Sequence, residues 1–150
     1  MKPDKFTVHC SDSANGVRVD ISEIRQWHLA RGFTDVGYHV VIQPDGEIQP
    51  GRGLNVVGAH VKGANEGNLG ICLVGRDKFS KAQFDAMAKW IENVRRIYTI
   101  DPWEVYGHYE FPSAREQGKT CPNMDIRRIH WFLSTGDSRG LLPYLAEGKV

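Results

Sequence analysis

The run Leu69-Gly70-Ile71-Cys72-Leu73-Val74 is almost unbroken in its apolar character, which suits a strand buried on both faces. A strand of that kind belongs in the middle of a sheet. Upstream, Phe6, Val8 and Cys10 repeat at period two, which predicts a strand from Lys5 to Cys10 and turns His9 to the opposite face. Tyr38 to Gln43 reads as a third strand. Pro44-Asp45-Gly46 supplies turn chemistry, so Glu47 to Gln49 returns as the second arm of a hairpin.

Helices fall between these strands. Asp20 and Glu23 have capping-box spacing, and Ile21, Ile24, Trp27 and His28 follow at helical intervals until Gly32. Ser80 and Gln83 repeat the pattern ahead of Phe84, Met87, Ala88, Ile91, Val94 and Tyr98, one face of a long helix that Asp101-Pro102 ends. Trp103 to Tyr106 reads as a short strand, Phe111 to Pro122 as irregular, and Met124 to Leu133 as a last helix. This alternation predicts an α/β sandwich, a central mixed β-sheet flanked by helices. With no repeat or linker in its 150 residues, the chain reads as one domain, with a core of about 5–135 and a peripheral tail after Gly136.

Charge and cysteine usage narrow the function. Nineteen basic residues against eighteen acidic ones offer no general attraction to nucleic acid or to an anionic membrane. Three cysteines, an odd number, do not describe a disulfide framework; Cys10 and Cys72 read as buried core residues. Met1 to Lys5 leads into strand-like sequence without an apolar signal core, and no run approaches the roughly 20 apolar residues of a membrane span. The expectation is cytoplasmic synthesis, no membrane insertion and a monomer.

His9, His108 and Cys121 each sit at a strand end or in a tight loop, with Lys119 just ahead of the cysteine. Imidazole nitrogen and thiolate sulfur serve zinc, and hydrolytic sites use about three protein ligands. Such an ion polarises a carbonyl and lowers the pKa of a water toward about 7. Taken singly, each residue has a plainer reading: His9 as a satisfied strand histidine, His108 as a turn residue after Gly107, Cys121 as another buried thiol. Glycine-rich residues 51–68 are long for a passive connection and carry His60 and Asn65.

The words Val8-His9-Cys10-Ser11, Asp35-Val36-Gly37-Tyr38-His39, Gly58-Ala59-His60-Val61-Lys62-Gly63, Leu69 to Gly75, Gly107-His108-Tyr109-Glu110 and Lys119-Thr120-Cys121-Pro122 occur in this order. Together they resemble the zinc N-acetylmuramoyl-L-alanine amidases, in particular the small phage endolysins, and more distantly the peptidoglycan recognition proteins. The resemblance spans about Phe6 to Leu133. It implies one zinc ion held by His9, His108 and Cys121, and hydrolysis of the amide between N-acetylmuramic acid and L-alanine in peptidoglycan. By motif, Tyr38 and Lys119 become catalytic, while His60 and Asn65 become substrate-binding.

An ammonium at Lys119 would stabilise the oxyanion, and the Tyr38 phenol would orient water or move a proton. Strand alternation sends Tyr38 and His39 to opposite faces, so only Tyr38 is expected to face the metal. Glu110 is a partner of the site or a solvated side chain, and His28 and His130 read as ordinary helix residues. Release of the enzyme to the wall would come from a holin or from lysis. Two other functions fit the resemblance: a peptidoglycan-binding module without catalysis, and a regulatory partner of a phage RNA polymerase. The N-terminal arm ahead of His9 is short for the latter.

Overall fold

The computed structural model describes residues 1–149. Its strands are β1 (Lys5–Cys10), β2 (Val40–Ile42), β3 (Ile48–Pro50), β4 (Asn68–Leu73) and β5 (Val105–Gly107). They form one sheet in the order β3-β2-β4-β1-β5. The apolar run is the central strand, and all six residues of β4 are buried. Parallel pairing joins β4 to β1 and β2, and β1 to β5, while β2 and β3 form the antiparallel hairpin. The sheet is therefore mixed, as the sequence predicts.

Among the described residues there are four α-helices: α1 (Ile21–Ala30), α2 (Lys81–Tyr98), the short α3 (Pro112–Glu116) and α4 (Ile126–Thr135). Phe6, Val8, Val40, Ile42, Leu69, Ile71 and Leu73 pack on one face with Phe84, Met87, Ile91 and Val94 of α2 and Ile129 and Phe132 of α4. Val41, Cys72 and Val74 look the other way, onto Ile21 and Ile24 of α1. His9 is in register with Cys72 and shares this second face. Among the described residues no helix is long and apolar enough to cross a membrane.

The start of α2 ties helix to sheet. Ser80 Oγ accepts from the Gln83 backbone at 3.0 Å and Gln83 Oε1 accepts from the Ser80 backbone at 2.9 Å. The buried Gln83 amide then donates to the carbonyls of Ile42 and Val74, at 3.1 and 2.9 Å. One side chain thus caps the helix and closes the carboxyl ends of β2 and β4. Replacing Ser80 by alanine is expected to cost about 1–2 kcal/mol, read as a lower urea midpoint with an unchanged m-value.

Several local expectations change. Asp20 caps α1 through the backbone and hydroxyl of Ser22, with no reciprocal bond from Glu23. Trp27 is 40% exposed, and His28 takes the buried position, completing the 21, 24, 28 stripe. Residues 111–122 are not wholly irregular: a 3₁₀ turn (His108–Glu110) runs into α3, where Pro112 takes the first position. Trp103 is exposed and precedes β5. The tail past Gly136 is not peripheral throughout. A 3₁₀ turn from Arg139 to Tyr144 buries Leu141, and Leu145 follows it into the core beside a bridge to Phe79. Leu141, Leu142 and Leu145, interrupted by Pro143, make too short a run to show a period, so the sequence does not announce this packing.

Candidate metal centre

Parallel pairing aligns Val8 with Gly107. The next residue on each strand is therefore a histidine at the same level, His9 near the carboxyl end of β1 and His108 directly after β5. In open α/β sheets ligand sites lie at that end. The two rings lie 4.5 Å apart between centroids, with His9 2% and His108 8% exposed. Glu110 holds the turn that presents His108, accepting from the Gly107 backbone at 3.0 Å. It is a partner of the turn rather than a base aimed at the site.

Cys121 comes from the far side, and its loop is pinned twice. The Tyr109 N–H donates to the Cys121 carbonyl at 3.0 Å, and the Cys10 N–H donates to Cys121 Sγ at 3.0 Å. One donor atom each from His9, His108 and Cys121 lies within 4.8 Å of the others. Two nitrogens and a sulfur are a donor set that zinc takes, and donors this near one another need only small side-chain shifts to meet on one ion.

Burial lowers the pKa of His9 well below that of an ordinary imidazole, with His60, His108 and Lys119 adding to the effect. His108 is lowered to about 4 by burial and by the Lys119 charge. Both rings are thus neutral near pH 7, the form that binds metal. A hydrogen bond with Cys10 and burial push the Cys121 thiol up, so a metal must displace its proton to take the sulfur.

Beside these three groups lies a cavity of about 380 Å³ walled by His28, Tyr38, His60, Asn65, His108 and Lys119. All four candidates outside the ligand set therefore line one space with His108. The Tyr38 ring lies 5.1 Å from that of His9, and burial raises its phenol well above the ordinary range. Tyr38 and His39 precede β2, so strand alternation does not place them. Hydrogen bonds do: His39 donates from Nε2 to the Val56 carbonyl at 2.7 Å and accepts at Nδ1 from Gly70 at 3.0 Å. That leaves Tyr38 facing the cavity.

Asn65 Oδ1 accepts from the backbones of His60 and Val61, at 2.9 and 2.8 Å, and so holds the loop that carries His60. Both nitrogens of His60 are engaged, one with His9 and one with the Asn68 carbonyl. Burial lowers its pKa to about 3. Sequence reasoning missed His28, whose Nδ1 accepts from the Gly37 backbone at 2.7 Å and fixes the segment leading to Tyr38. Its place on the buried stripe of α1 was the available signal. His130 donates to the Val105 carbonyl at 2.8 Å, as befits a structural helix residue. A wider groove of about 1020 Å³ between α2 and α4 carries Trp103 and Trp131 but none of the candidate residues.

The family model described as N-acetylmuramoyl-L-alanine amidase matches residues 1–124. The endolysin of Escherichia phage T7 is 35% identical over 133 residues, which cover 83% of each chain. Among solved structures, the N-acetylmuramoyl-L-alanine amidase LysC from Clostridium intestinale is 25% identical with a TM-score of 0.77, covering 89% of this chain and 86% of that one. Drosophila PGRP-LB is 26% identical with a TM-score of 0.68, covering 83% and 85%. Sequence and fold agree over most of the length: this chain belongs to the N-acetylmuramoyl-L-alanine amidase family, among the enzymes of phage endolysin type.

Proposed function

We propose that this amidase is zinc-dependent, with one ion held by His9, His108 and Cys121. The observation that carries the reading is convergence: three donors brought within 4.8 Å from three separate segments, one of them, His108, on the wall of the cavity that Tyr38 and Lys119 line. When bound, zinc supplies Lewis acidity and an activated water. The remaining tasks fall to the chain.

Lys119 is exposed and lines the cavity, and in this reading its ammonium holds the negative charge that develops on the attacked carbonyl oxygen. Tyr38, its phenol raised by burial, keeps its O–H at neutral pH and serves as a hydrogen-bond donor and proton carrier inside the cavity. His60 and Asn65 shape the wall that receives the substrate, His60 by its ring and Asn65 by holding the loop. Arg31 and Lys62, which also line the cavity, set positive charge where carboxylates of a muramyl peptide would lie. In this reading the enzyme reaches peptidoglycan after holin-type release or lysis.

Lys119→Ala is expected to lower turnover by about 100- to 1000-fold, the effect of one lost oxyanion donor, while zinc content stays at that of the wild type. Unchanged turnover would remove Lys119 from the catalytic role. Mass spectrometry of digested peptidoglycan tests the bond: a free lactyl carboxylate with a new L-alanine amino terminus is expected. Released acetate, or a cut within the stem peptide, would contradict it.

A further inference from the structure

We propose that His60 is a positioning residue that fixes the tautomer of His9, so that His9 presents Nδ1 to the metal. The inference rests on the zinc reading above. The hydrogen bonds run in one direction. His60 Nε2 lies 2.8 Å from the Asn68 carbonyl oxygen, and a carbonyl only accepts, so this nitrogen carries the hydrogen. A neutral imidazole has one N–H, which leaves His60 Nδ1 as an acceptor. That atom is 2.9 Å from His9 Nε2. His9 therefore donates from Nε2, and its free lone pair is on Nδ1.

The relay is anchored at its far end and clamped along its length. Asn68 is fully buried; its Oδ1 accepts from Thr7 Oγ1 at 2.7 Å and its Nδ2 donates to the Ala64 carbonyl at 2.9 Å. The His60 ring lies so close to the backbone that a Cβ on Gly70 would sit 2.7 Å from its Cγ, and one on Gly58 would sit 2.8 Å from its Cδ2. Asn65 fixes the His60 backbone. Packed this closely against two glycines and hydrogen-bonded at both nitrogens, the ring is held in one orientation.

The partner's chemistry matters as well. Metal-ligating histidines commonly donate their second N–H to a carboxylate or carbonyl, which orients the ring. Here the acceptor is a neutral imidazole that ends on a backbone carbonyl. It fixes the ring without adding negative charge to a site that already contains a thiolate ligand, and so preserves the electrophilicity that amide hydrolysis needs.

Two variants and a spectrum test this. His60→Phe keeps a ring but has no acceptor, whereas His60→Gln keeps one acceptor and one donor. Zinc affinity, measured by competition with a chromophoric chelator, is expected to fall about 10- to 100-fold in the Phe variant and to recover largely in the Gln variant. In metal-free wild type, long-range ¹H–¹⁵N spectra are expected to show His9 as the Nε2–H tautomer. His9 as the Nδ1–H tautomer would overturn the inference, as would a Phe variant with unchanged zinc affinity and a raised KM, which marks a substrate contact alone. Wild-type protein that binds no zinc would overturn the metal reading itself, a result separate from either of these.

Discussion

Cys121→Ala is expected to leave the protein folded, empty of zinc and without amidase activity, a loss of at least about a thousandfold, or ~4 kcal/mol of transition-state stabilisation. The fold survives because the loop is pinned through its backbone, by the Tyr109 N–H to the Cys121 carbonyl and by Lys119 N–H to the Ala114 carbonyl. Alanine disturbs neither bond. What disappears is one of three donors and the acceptor of the Cys10 N–H. Two imidazoles cannot replace a thiolate in charge or in reach. Cys72→Ala is the control: Cys72 is fully buried under α1 and contributes no donor, so its variant keeps zinc while losing some stability. Metal analysis and turnover on the two purified variants check both halves. Full zinc occupancy in Cys121→Ala would remove that residue from the ligand set.

Gly37→Ala is expected to destabilise the protein by about 3 kcal/mol or more and to collapse turnover. A Cβ at this position would lie 2.0 Å from the Ala59 carbonyl oxygen and 2.9 Å from its carbon. The obstacle is backbone, so no side-chain rotation relieves it. Two segments cross here in direct contact, with Ala59 N–H donating to the Gly37 carbonyl at 3.0 Å and Gly37 N–H donating to His28 Nδ1 at 2.7 Å. Tyr38 follows the first segment and His60 the second. Pushing the segments apart separates two walls of the cavity, so activity should fall further than stability alone explains. Urea unfolding and turnover measured on the same preparation check this. Stability within about 0.5 kcal/mol of wild type would show that the crossing is not the constraint described.

What the sequence reveals follows from how local each interaction is. The period-two run in β1, the apolar β4 and the Ser80–Gln83 box are decided within a few residues, and all three are found where the pattern places them. The three candidate ligands are marked in the sequence by residue type and by the words around them, and the fold brings their donor atoms together. What was hidden spans distance. His60 meets His9 across 51 positions, and the Cys10 amide meets the Cys121 sulfur across 111. No periodicity encodes such contacts. Tyr38 and His39 show the limit differently: Tyr38, expected by strand alternation to face a metal, lines the cavity beside the candidate ligands, and the cause is the two hydrogen bonds that occupy His39. Glu110 reads by sequence as a partner of the site or a solvated side chain, and its bond to the Gly107 backbone makes it a partner of the turn that presents His108.

The most direct test pairs metal content with release of peptides from purified peptidoglycan, before chelation, after it, and after zinc is restored. The expected result is about one zinc per chain, as three protein ligands and an open position imply, with activity that falls and returns with the metal. Protein that contains no zinc as purified, or that cleaves peptidoglycan equally well after chelation, would contradict the assignment of His9, His108 and Cys121 as the catalytic metal site.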